Sequence, residues 1–502
     1  MRALRWLGQA TAAALALVIT AYYCIRGNAL VADPDIWWHI RVGDWIAAHH
    51  TLPRVGIFSQ HLERPWTAYS WGFELLISGI HHIFGLRGMV GLLLCLEILV
   101  SLAFLVALRW VAGSFWASWG IGVLTIYAAL LHNALRPVLL TVLFFSLELL
   151  LIFEAERRRD DRLLFWTAPL LLVWANCHIQ FVYGLFVFGL YIAARLVALW
   201  RPGEAAARSS PGNGGGASAP GSGALGWKLL VLLALALLSP CTGPNGILPY
   251  KVAFAYAGTS ANYDVILELA APNFRRPEDY VLLALIMVAC YAAGRRSSRD
   301  WFRLPLLLVT ALVSFRSMRD TWFAGSAAAF ILAEAVRDRW PAEERAPSPS
   351  VVPERELAAY GAGALAALAL ASAFAMHYGL RLPELARSVG EHYPLRAADF
   401  VRDSHFPGPL YNSYNWGGFL IYYLPEQPVS IDPRFDLYGT DLLLRSVDTG
   451  NAINWKSDPD LARANVVILG RWRPLVQALA NDAQFRNVYA DNVAVVFVRQ
   501  TR

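Results

Sequence analysis

Acidic, basic and aromatic side chains gather in one short segment near the N-terminus, Asp33 to Arg41, with the sequence DPDIWWHIR. A carboxylate within hydrogen-bond reach of an acceptor hydroxyl or amide can take its proton or orient it for attack. Asp35 follows Pro34 at the start of a predicted helix, where backbone N–H groups and the helix dipole favour an ionised carboxylate. The segment therefore predicts a catalytic carboxylate at Asp35, with Asp33 as a neighbouring acid that assists it.

Further polar residues lie on the same side of the predicted membrane helices. His39 and Glu74 are candidates for binding an acceptor. Glu268 lies on the same side, and it can also be a solvated loop acid. Arg316 and Arg319 are candidates for binding a leaving phosphate, because guanidinium binds phosphate in bidentate geometry. Alternatively, these two arginines can extend their charged ends to the membrane surface and pair with Asp320. Because ionisable groups at membrane depth are costly unless they line a wet cavity or find partners, this collection predicts a site at the outer face.

The residues of the first segment also have simpler structural interpretations. Asp35 can be a helix N-cap, and Asp33 can be an ordinary loop acid. Trp37 and Trp38 can anchor a helix at the membrane interface instead of stacking on a sugar. His39 can bond to a neighbouring loop. These alternatives stay open at the level of sequence.

Other polar residues have structural alternatives too. Glu74 can pair with Arg41 or Arg64 instead of serving a site. Two groups of residues are expected to be structural. The first group satisfies helix ends and consists of Asn176, His178 and Gln180. The second group forms a salt-bridged loop and consists of Asp432, Arg434 and Asp436.

Composition identifies a membrane protein. Of 502 residues, 57% are hydrophobic and 16% are charged, and the mean hydropathy is +0.42, whereas soluble domains carry about 25% charged residues. The spacing of the five cysteines excludes a disulfide-built module and a zinc site. The net charge of +6 comes largely from Arg residues in short loops between apolar runs, which predicts membrane topology and no nucleic-acid partner.

Apolar windows of about 20 residues predict about eleven membrane-spanning helices within residues 1–378. They lie approximately at 7–26, 88–111, 115–133, 137–155, 162–177, 180–199, 227–243, 280–294, 304–318, 321–336 and 357–378. By the positive-inside rule the Arg-rich loops face the cytoplasm, which places the N-terminus inside and the C-terminal part outside. The stretch 202–226, rich in Gly, Ser, Ala and Pro, predicts a flexible cytoplasmic linker.

Two external regions complete the predicted architecture. The first external loop, 27–87, contains amphipathic segments at Asp35–Ala48 and Trp71–Phe84, which predict two helices lying along the membrane interface. Charged residues become more frequent after residue 378, so 379–502 is predicted to be an extracytoplasmic mixed α/β domain. Its predicted strands are Pro428–Ile431, Val466–Leu469, Asn487–Tyr489 and Val493–Val498, of which the last two form a hairpin. Its predicted helices are Asp441–Val447 and Pro474–Ala480.

The segment DIWWHIR, Asp35 to Arg41, resembles the acidic motif after the first span in the catalytic subunit of oligosaccharyltransferases. The layout resembles membrane glycosyltransferases of the GT-C fold, which include protein O-mannosyltransferases and the lipid A aminoarabinose transferase. They share an acidic motif after span one, two interfacial helices, many spans and often a C-terminal external domain. The resemblance implies a GT-C-like fold and aligns Asp35 with the family's essential Asp.

Further segments resemble features of such enzymes. Val265–Glu268 (VILE) resembles an acceptor-positioning motif that ends in Glu. Tyr414–Gly418 (YNWGG) is similar to a motif that reads the acceptor sequon, but it lacks that motif's Asp; the likeness implies an acceptor role for Trp416. The resemblance also allows a divalent cation, Mg²⁺ or Mn²⁺. Metal-dependent relatives carry another acid in the second external loop, but His132–Pro137 has none, so chelators are expected not to abolish turnover.

A less specific pattern is shared with bacterial membrane proteins: a Trp-Ala-Asn-x-His stretch, here Trp174–His178, and a Gly-Gly-x-Leu-Ile segment. Together the observations predict an inner-membrane glycosyltransferase that moves a sugar or glycan from a polyprenyl-phosphate or polyprenyl-diphosphate donor to a protein, lipid or glycan acceptor outside the cytoplasm. A non-catalytic envelope protein and a transporter of lipid-linked glycans stay open as alternatives. A transport path would need charged residues at mid-span, where the predicted acids are Glu97 and Glu148.

Overall fold

A computed structural model describes residues 2–26, 33–131, 134–200, 222–257, 269–295, 300–339, 352–378 and 382–500. Helices dominate its first three quarters. In chain order they are α1 (Arg2–Arg26), α2 (Asp35–His49), α3 (Trp71–Ala112), α4 (Phe115–Thr125), α5 (Val138–Arg158), α6 (Thr167–Cys177), α7 (Phe181–Trp200), α8 (Ser222–Leu238), α9 (Leu248–Ala257), α10 (Pro277–Gly294), α11 (Arg303–Arg316), α12 (Thr321–Asp338) and α13 (Glu354–Tyr378). A π-helical turn, Ile126–Leu130, extends α4, and a 3₁₀ turn, Asp161–Trp166, precedes α6.

A helix lies at each of the predicted membrane spans. Among the described residues, seven helices are long and apolar enough to cross a membrane: α1, α3, α5, α7, α8, α10 and α13. The chain is therefore an integral membrane protein, and the number of eleven spans stays a prediction. Helix α8 begins at Ser222, inside the predicted linker, and residues 202–221 of that linker lie outside the described residues.

Helix α3 joins the second predicted interfacial helix to the span that follows it. Gly85 inside α3 has φ 61° and ψ −151°, a conformation that is open to glycine and strained for other residues. The helix therefore bends at Gly85, between the predicted segments Trp71–Phe84 and 88–111. Gly85 lies between the two segments that the sequence predicted as separate elements.

The C-terminal part is a small α/β unit. Its elements are α14 (Leu382–His392), α15 (Leu395–Asp403), β1 (Leu410–Asn412), α16 (Gly417–Tyr423), α17 (Phe435–Gly450), α18 (Pro459–Arg463), β2 (Val466–Gly470), α19 (Pro474–Ala480), β3 (Phe485–Ala490) and β4 (Ala494–Arg499). The sheet order is β1-β2-β4-β3, with β1 parallel to β2 and the other pairs antiparallel. The predicted hairpin and helices are confirmed.

The predicted strand at Pro428–Ile431 is wrong. Val429 exchanges backbone hydrogen bonds with residues between α2 and α3, accepting from Gln60 N at 2.9 Å and donating to Phe58 O at 3.0 Å. The segment is buried, which explains its strand-like composition, but its partner lies almost 370 residues earlier in the chain. Leu410–Asn412 forms the sheet edge instead.

The predicted first external loop and the C-terminal unit share one hydrophobic core. Helix α16 packs on α2, and the core continues into α1 and α3. Trp37 is 1% exposed and its ring contacts Tyr393, Phe419 and Tyr422 at centroid distances of 5.2–5.4 Å. The interface-anchor interpretation of Trp37 is therefore wrong, because protein covers the indole. The start of α2 is held rigidly between the membrane helices and the C-terminal unit.

Candidate active site

Two aspartates and one arginine meet at the start of α2. Asp33 is 5% exposed and accepts two hydrogen bonds from Arg136, from Nε at 2.8 Å and from Nη2 at 2.9 Å. Arg136 Nη2 also lies 3.4 Å from Asp35 Oδ2. Burial alone would raise the pKa of Asp33, but the charge and hydrogen bonds of Arg136 outweigh it and hold the pKa below its ordinary value.

The two aspartates have divided roles in the helix start. Asp33 Oδ1 accepts the backbone N–H of Asp35 at 3.1 Å, so Asp33 stabilises the first turn. Asp35 makes no cap; its Oδ1 accepts from Trp38 Nε1 at 3.3 Å, and its side chain is 22% exposed. The N-cap interpretation of Asp35 is therefore wrong, and its carboxylate keeps an open side. Trp38 is buried, which removes its anchor interpretation as well.

His39 and Glu74 form a buried pair between α2 and α3. The His39 Nδ1 and Glu74 Oε1 atoms are 3.3 Å apart, and the His39 ring stacks on Trp38 with centroids 3.6 Å apart. Arg41 and Arg64 are not the partners of Glu74: the first bonds to Asp44 and the second to the Tyr438 carbonyl. Glu74 Oε2 has no hydrogen-bond partner among the described residues.

The donor set at Asp33 and Asp35 does not fit a divalent cation. Carboxylate oxygens of both residues already lie against the Arg136 guanidinium. Within the described ranges no group of three His, Cys, Asp or Glu side chains could hold a metal ion. Arg136 belongs to the predicted second external loop, and it supplies positive charge next to the two aspartates.

Arg319 is partly buried, whereas Arg316 is exposed. The charge of Arg319 acts on Tyr69, Tyr256 and His178, whereas Arg316 ends α11 with an exposed side chain. Their neighbour Asp320 is buried and accepts from Gln180 Nε2 at 2.7 Å. Burial raises the pKa of Asp320, although Arg319 acts in the opposite direction.

The Trp174–His178 stretch connects three helices by hydrogen bonds. Trp174 Nε1 donates to Thr141 Oγ1 at 2.8 Å, and that hydroxyl lies 2.7 Å from His178 Nδ1. Asn176 accepts from Trp71 Nε1 at 2.7 Å and donates to the Leu172 carbonyl. Burial first, and then the charges of Arg319 and His39, lower the pKa of His178, so its ring is neutral. Both side-chain bonds of Asn176 are to the protein itself.

The YNWGG segment contacts α2 through glycine rather than tryptophan. A Cβ atom at Gly418 would collide with the Pro34 carbonyl oxygen, one residue before Asp35. Trp416 is 4% exposed and donates to the His392 carbonyl at 3.1 Å, which leaves its acceptor role a prediction. Burial, followed by the charge of Asp35, raises the pKa of Tyr414. The predicted acceptor residue Glu268, with Val265–Glu268, lies outside the described residues.

The segment after Ile431 contributes two residues that sequence reasoning had treated as structural. Arg434 does pair with Asp432, donating from Nε at 2.8 Å and from Nη2 at 2.7 Å. Asp436 stays outside this pair and lies beside Trp66 and Arg434, where burial raises its pKa to about 7. Tyr69 and Tyr256, which the sequence did not single out, lie beside it. The only sequence feature that pointed to this region was the run of three charged residues, Asp432, Arg434 and Asp436, after a buried segment.

Comparison with known proteins identifies the fold. No protein-family model and no curated protein sequence matches the chain. The structure is similar to that of ArnT, the aminoarabinose transferase, from Cupriavidus metallidurans in the apo state, with 14% identity, a TM-score of 0.51, and coverage of 99% of this chain and 98% of ArnT. A structure of the same ArnT bound to undecaprenyl phosphate gives a TM-score of 0.48 at 14% identity, covering 96% of this chain and 97% of that one. The chain therefore has the ArnT-like, GT-C fold that its layout predicted.

Proposed function

We propose that this protein is a GT-C-type glycosyltransferase of the inner membrane. In this proposal it moves a sugar or glycan from a polyprenyl-phosphate or polyprenyl-diphosphate donor to an acceptor outside the cytoplasm. The observation that carries the proposal is the partly open Asp35 carboxylate at the rigid start of α2, in an ArnT-like fold. Function does not follow from fold, so the argument rests on the chemistry of this site.

Asp35 is the proposed base. It accepts the proton from the acceptor hydroxyl or amide, while the acceptor atom attacks the anomeric carbon of the donor. The bond from that carbon to the phosphate oxygen breaks, and the electron pair leaves with the phosphate. Asp33 and Arg136 hold the first turn of α2 and thereby position Asp35. Arg136 is one of the polar residues on the predicted outer side, and its proposed role is to position Asp35.

Arg319 and Arg316 are the proposed partners of the donor phosphate. Charge-assisted bonds from a guanidinium stabilise a leaving phosphate, and they strengthen as its negative charge develops. Arg319 is favoured, because its charge reaches Tyr69, Tyr256 and His178 around the site. The neutral His178 ring does not compete with Arg319 for that phosphate.

His39, Glu74, Glu268 and Trp416 are the proposed acceptor-binding residues. His39 lies on α2, the helix that begins with Asp35, and Glu74 lies on α3, which packs against α2. The pairing of these two side chains supports their proposed role. The C-terminal unit is proposed to lie outside the cytoplasm with the site, and the N-terminus inside.

Release of free polyprenyl phosphate tests the proposal. The purified full-length protein is incubated with synthetic polyprenyl-phosphate and polyprenyl-diphosphate sugars and an envelope extract as the acceptor source, and lipid products are followed by mass spectrometry. We expect donor consumption together with a glycosylated product, and EDTA should not reduce it. Movement of intact donor across vesicles in an Asp35→Asn variant would favour a transporter instead.

A further inference from the structure

A cavity of about 640 Å³ lies at the end of the helix bundle that is opposite Asp35. Helix α5 begins at Val138, two residues after Arg136, and its last turn reaches the cavity, which Glu156 and Arg159 line. The 21 residues of α5 span roughly 30 Å at 1.5 Å per residue, the thickness of a bilayer core. The proposed topology therefore puts this cavity on the cytoplasmic side, away from the proposed glycosyl transfer.

The lining of the cavity is part charged and part apolar. Its charged groups include Arg159, Arg195 and Glu156, and its apolar part is formed by small residues of α7 and by Leu225 of α8. Only 28% of the α7 span and 22% of the α8 span is buried inside the protein, so both helices present most of their apolar surface to lipid. A ligand that combines polar and apolar groups fits such a lining and can enter it from the membrane.

Exposed aromatic residues put the cavity at the level of lipid headgroups. Trp301 lines the cavity and is 38% exposed. Asp161, another lining residue, begins the 3₁₀ turn that ends at Trp166, which is 66% exposed. Tryptophan is enriched at the interface between membrane and water. The charged groups of the cavity therefore lie at the depth of the phosphate groups of lipids.

Arg159 brings a positive charge to the cavity without a protein partner. Its guanidinium makes no hydrogen bond or ion pair within the described ranges. Glu156, three residues earlier, instead accepts from Arg303 at 2.9 Å and 3.4 Å. The Arg159 backbone has φ 54°, in the left-handed region that glycine favours after a helix end. An arginine kept in this strained position indicates that its side chain has a use.

Arg195 also has N–H groups to spare at this cavity. Three of its five N–H groups donate to protein, two of them to Asp161 at 3.0 Å and 3.4 Å and one to the Tyr191 hydroxyl at 2.9 Å. The other two have no partner among the residues that the structure describes. Arg159 and Arg195 together can therefore bind an anionic group.

Carboxylates outnumber cations around Arg303, which lines the same cavity. Its guanidinium is shared by three carboxylates, those of Glu156, Asp300 and Glu334. The Glu156 side chain is 42% exposed, so its carboxylate is open to a ligand. A simple anion bound at Arg159 would meet this negative charge. A ligand that carries both a phosphate and an ammonium group satisfies both kinds of residue.

We infer that the cavity binds the headgroup of an aminophospholipid, with its phosphate at Arg159 and Arg195 and its primary ammonium at Glu156. Guanidinium groups bind phosphate by charge-assisted bonds, and a carboxylate accepts from an ammonium. Charged pockets between membrane helices on the cytoplasmic side are suited to lipid headgroups. The volume of about 640 Å³ lies within the range of about 300–1,000 Å³ that small-molecule sites occupy. The inference does not depend on the proposed glycosyl transfer.

Native mass spectrometry of the full-length protein in detergent, with defined lipids added at equal concentration, tests this site. Phosphatidylethanolamine should be retained about tenfold more than phosphatidylcholine, whose ammonium has no N–H, or phosphatidylglycerol, which has no ammonium. Arg159→Asn should lower the retention of phosphatidylethanolamine about tenfold. Asn tolerates the left-handed backbone, so the unfolding temperature should not fall. Arg162→Asn removes an exposed arginine that does not line the cavity, and this matched control should bind like the wild type.

A second variant tests the ammonium side of the site. Glu156→Gln should reduce the retention of phosphatidylethanolamine to that of phosphatidylglycerol and leave phosphatidylglycerol unchanged, because only the ammonium loses its partner. Equal retention of the three lipids by the wild type, or undiminished phosphatidylethanolamine in Arg159→Asn, would overturn the inference. Displacement of the lipid by an equal concentration of free phosphoethanolamine would assign the cavity to a soluble phosphate ester and overturn the lipid assignment.

Discussion

Two buried arginines with acidic neighbours occupy different parts of this protein and differ in how completely they are bonded. At the first residue of α11, Arg303 uses all three nitrogens, donating to Glu156, Asp300 and Glu334 at 2.5–3.4 Å. Arg434, beside the proposed site, leaves Nη1 unpaired within the described structure. A fully bonded cluster holds helices together, whereas an incompletely bonded one leaves a donor unsatisfied within the described residues.

The Arg303 cluster, formed by Glu156, Asp300, Arg303 and Glu334, should govern stability without governing chemistry. Arg303→Met leaves three acids without their cation, so we expect the free energy of unfolding to fall by about 3–5 kcal/mol. Turnover per folded molecule should not change. Thermal unfolding in detergent measures the first effect, and the exposed Arg295→Met is the control. A variant of normal stability would show that the cluster is not a structural clamp.

Asp33 should stabilise the site in a pH-dependent way. Its folded-state pKa lies below its ordinary value, so its stabilising effect is complete above an unfolded pKa of about 3.9 and is lost as pH falls through the folded pKa. Asp33→Asn should therefore unfold about 2 kcal/mol more easily near neutral pH. That difference should vanish in strong acid. A difference that stays constant from neutral to acidic pH would contradict the Asp33–Arg136 assignment.

Asp436 should behave in the opposite sense. Burial raises its pKa to about 7, so the folded state holds a proton that the unfolded chain releases near pH 4, and wild-type stability decreases between about pH 4 and pH 7. The charged or titratable groups that face it are Asp432, Arg434, Glu74, Tyr69 and Tyr256. Asp436→Asn should stabilise the protein by about 1–2 kcal/mol above pH 7, with the gain absent below pH 4. Equal stability at every pH would contradict this placement.

The donor-phosphate proposal predicts a smaller effect that does not depend on stability. If Arg319 binds the phosphate, Arg319→Lys should impair donor use nearly as much as Arg319→Ala, because Lys supplies charge without the bidentate fork. We expect KM for the donor to rise about tenfold, or about 1.4 kcal/mol. Arg316→Ala should have less effect. Full activity in the Arg316→Ala, Arg319→Ala double variant would eliminate both residues.

Local patterns in the sequence predicted the parts of this structure that local physics decides. Hydropathy located the helices, and the two segments predicted on either side of Gly85 correspond to the two halves of α3. The DPD segment predicted an acid at the start of α2, because Pro34 and the periodicity after it define a helix start. The GT-C fold was implied by the resemblance of the DIWWHIR motif and of this layout to known membrane glycosyltransferases.

Contacts between distant segments could not be predicted in this way. Arg136 is separated from Asp33 by 103 positions, and the Arg64 bond to the Tyr438 carbonyl spans 374. The burial of Trp37 and the pairing of Val429 with the first loop depend on the docking of the C-terminal unit, which no periodicity encodes. The same docking sets the surroundings of Arg434 and Asp436, so their environment could not be read from the sequence.

The turnover of Asp35→Asn, measured beside donor binding and thermal stability in the same preparation, tests the central claim most directly. Asn keeps the shape of the side chain and removes the charge, and the fold at this point is held by Asp33 and Arg136. We expect turnover to fall by roughly 100-fold or more, about 2.7 kcal/mol of barrier, with donor binding and unfolding temperature nearly unchanged. Asp33→Asn should lower turnover around tenfold. Near wild-type turnover in Asp35→Asn would contradict the account and leave Asp35 a partner of Trp38 and Arg136 alone.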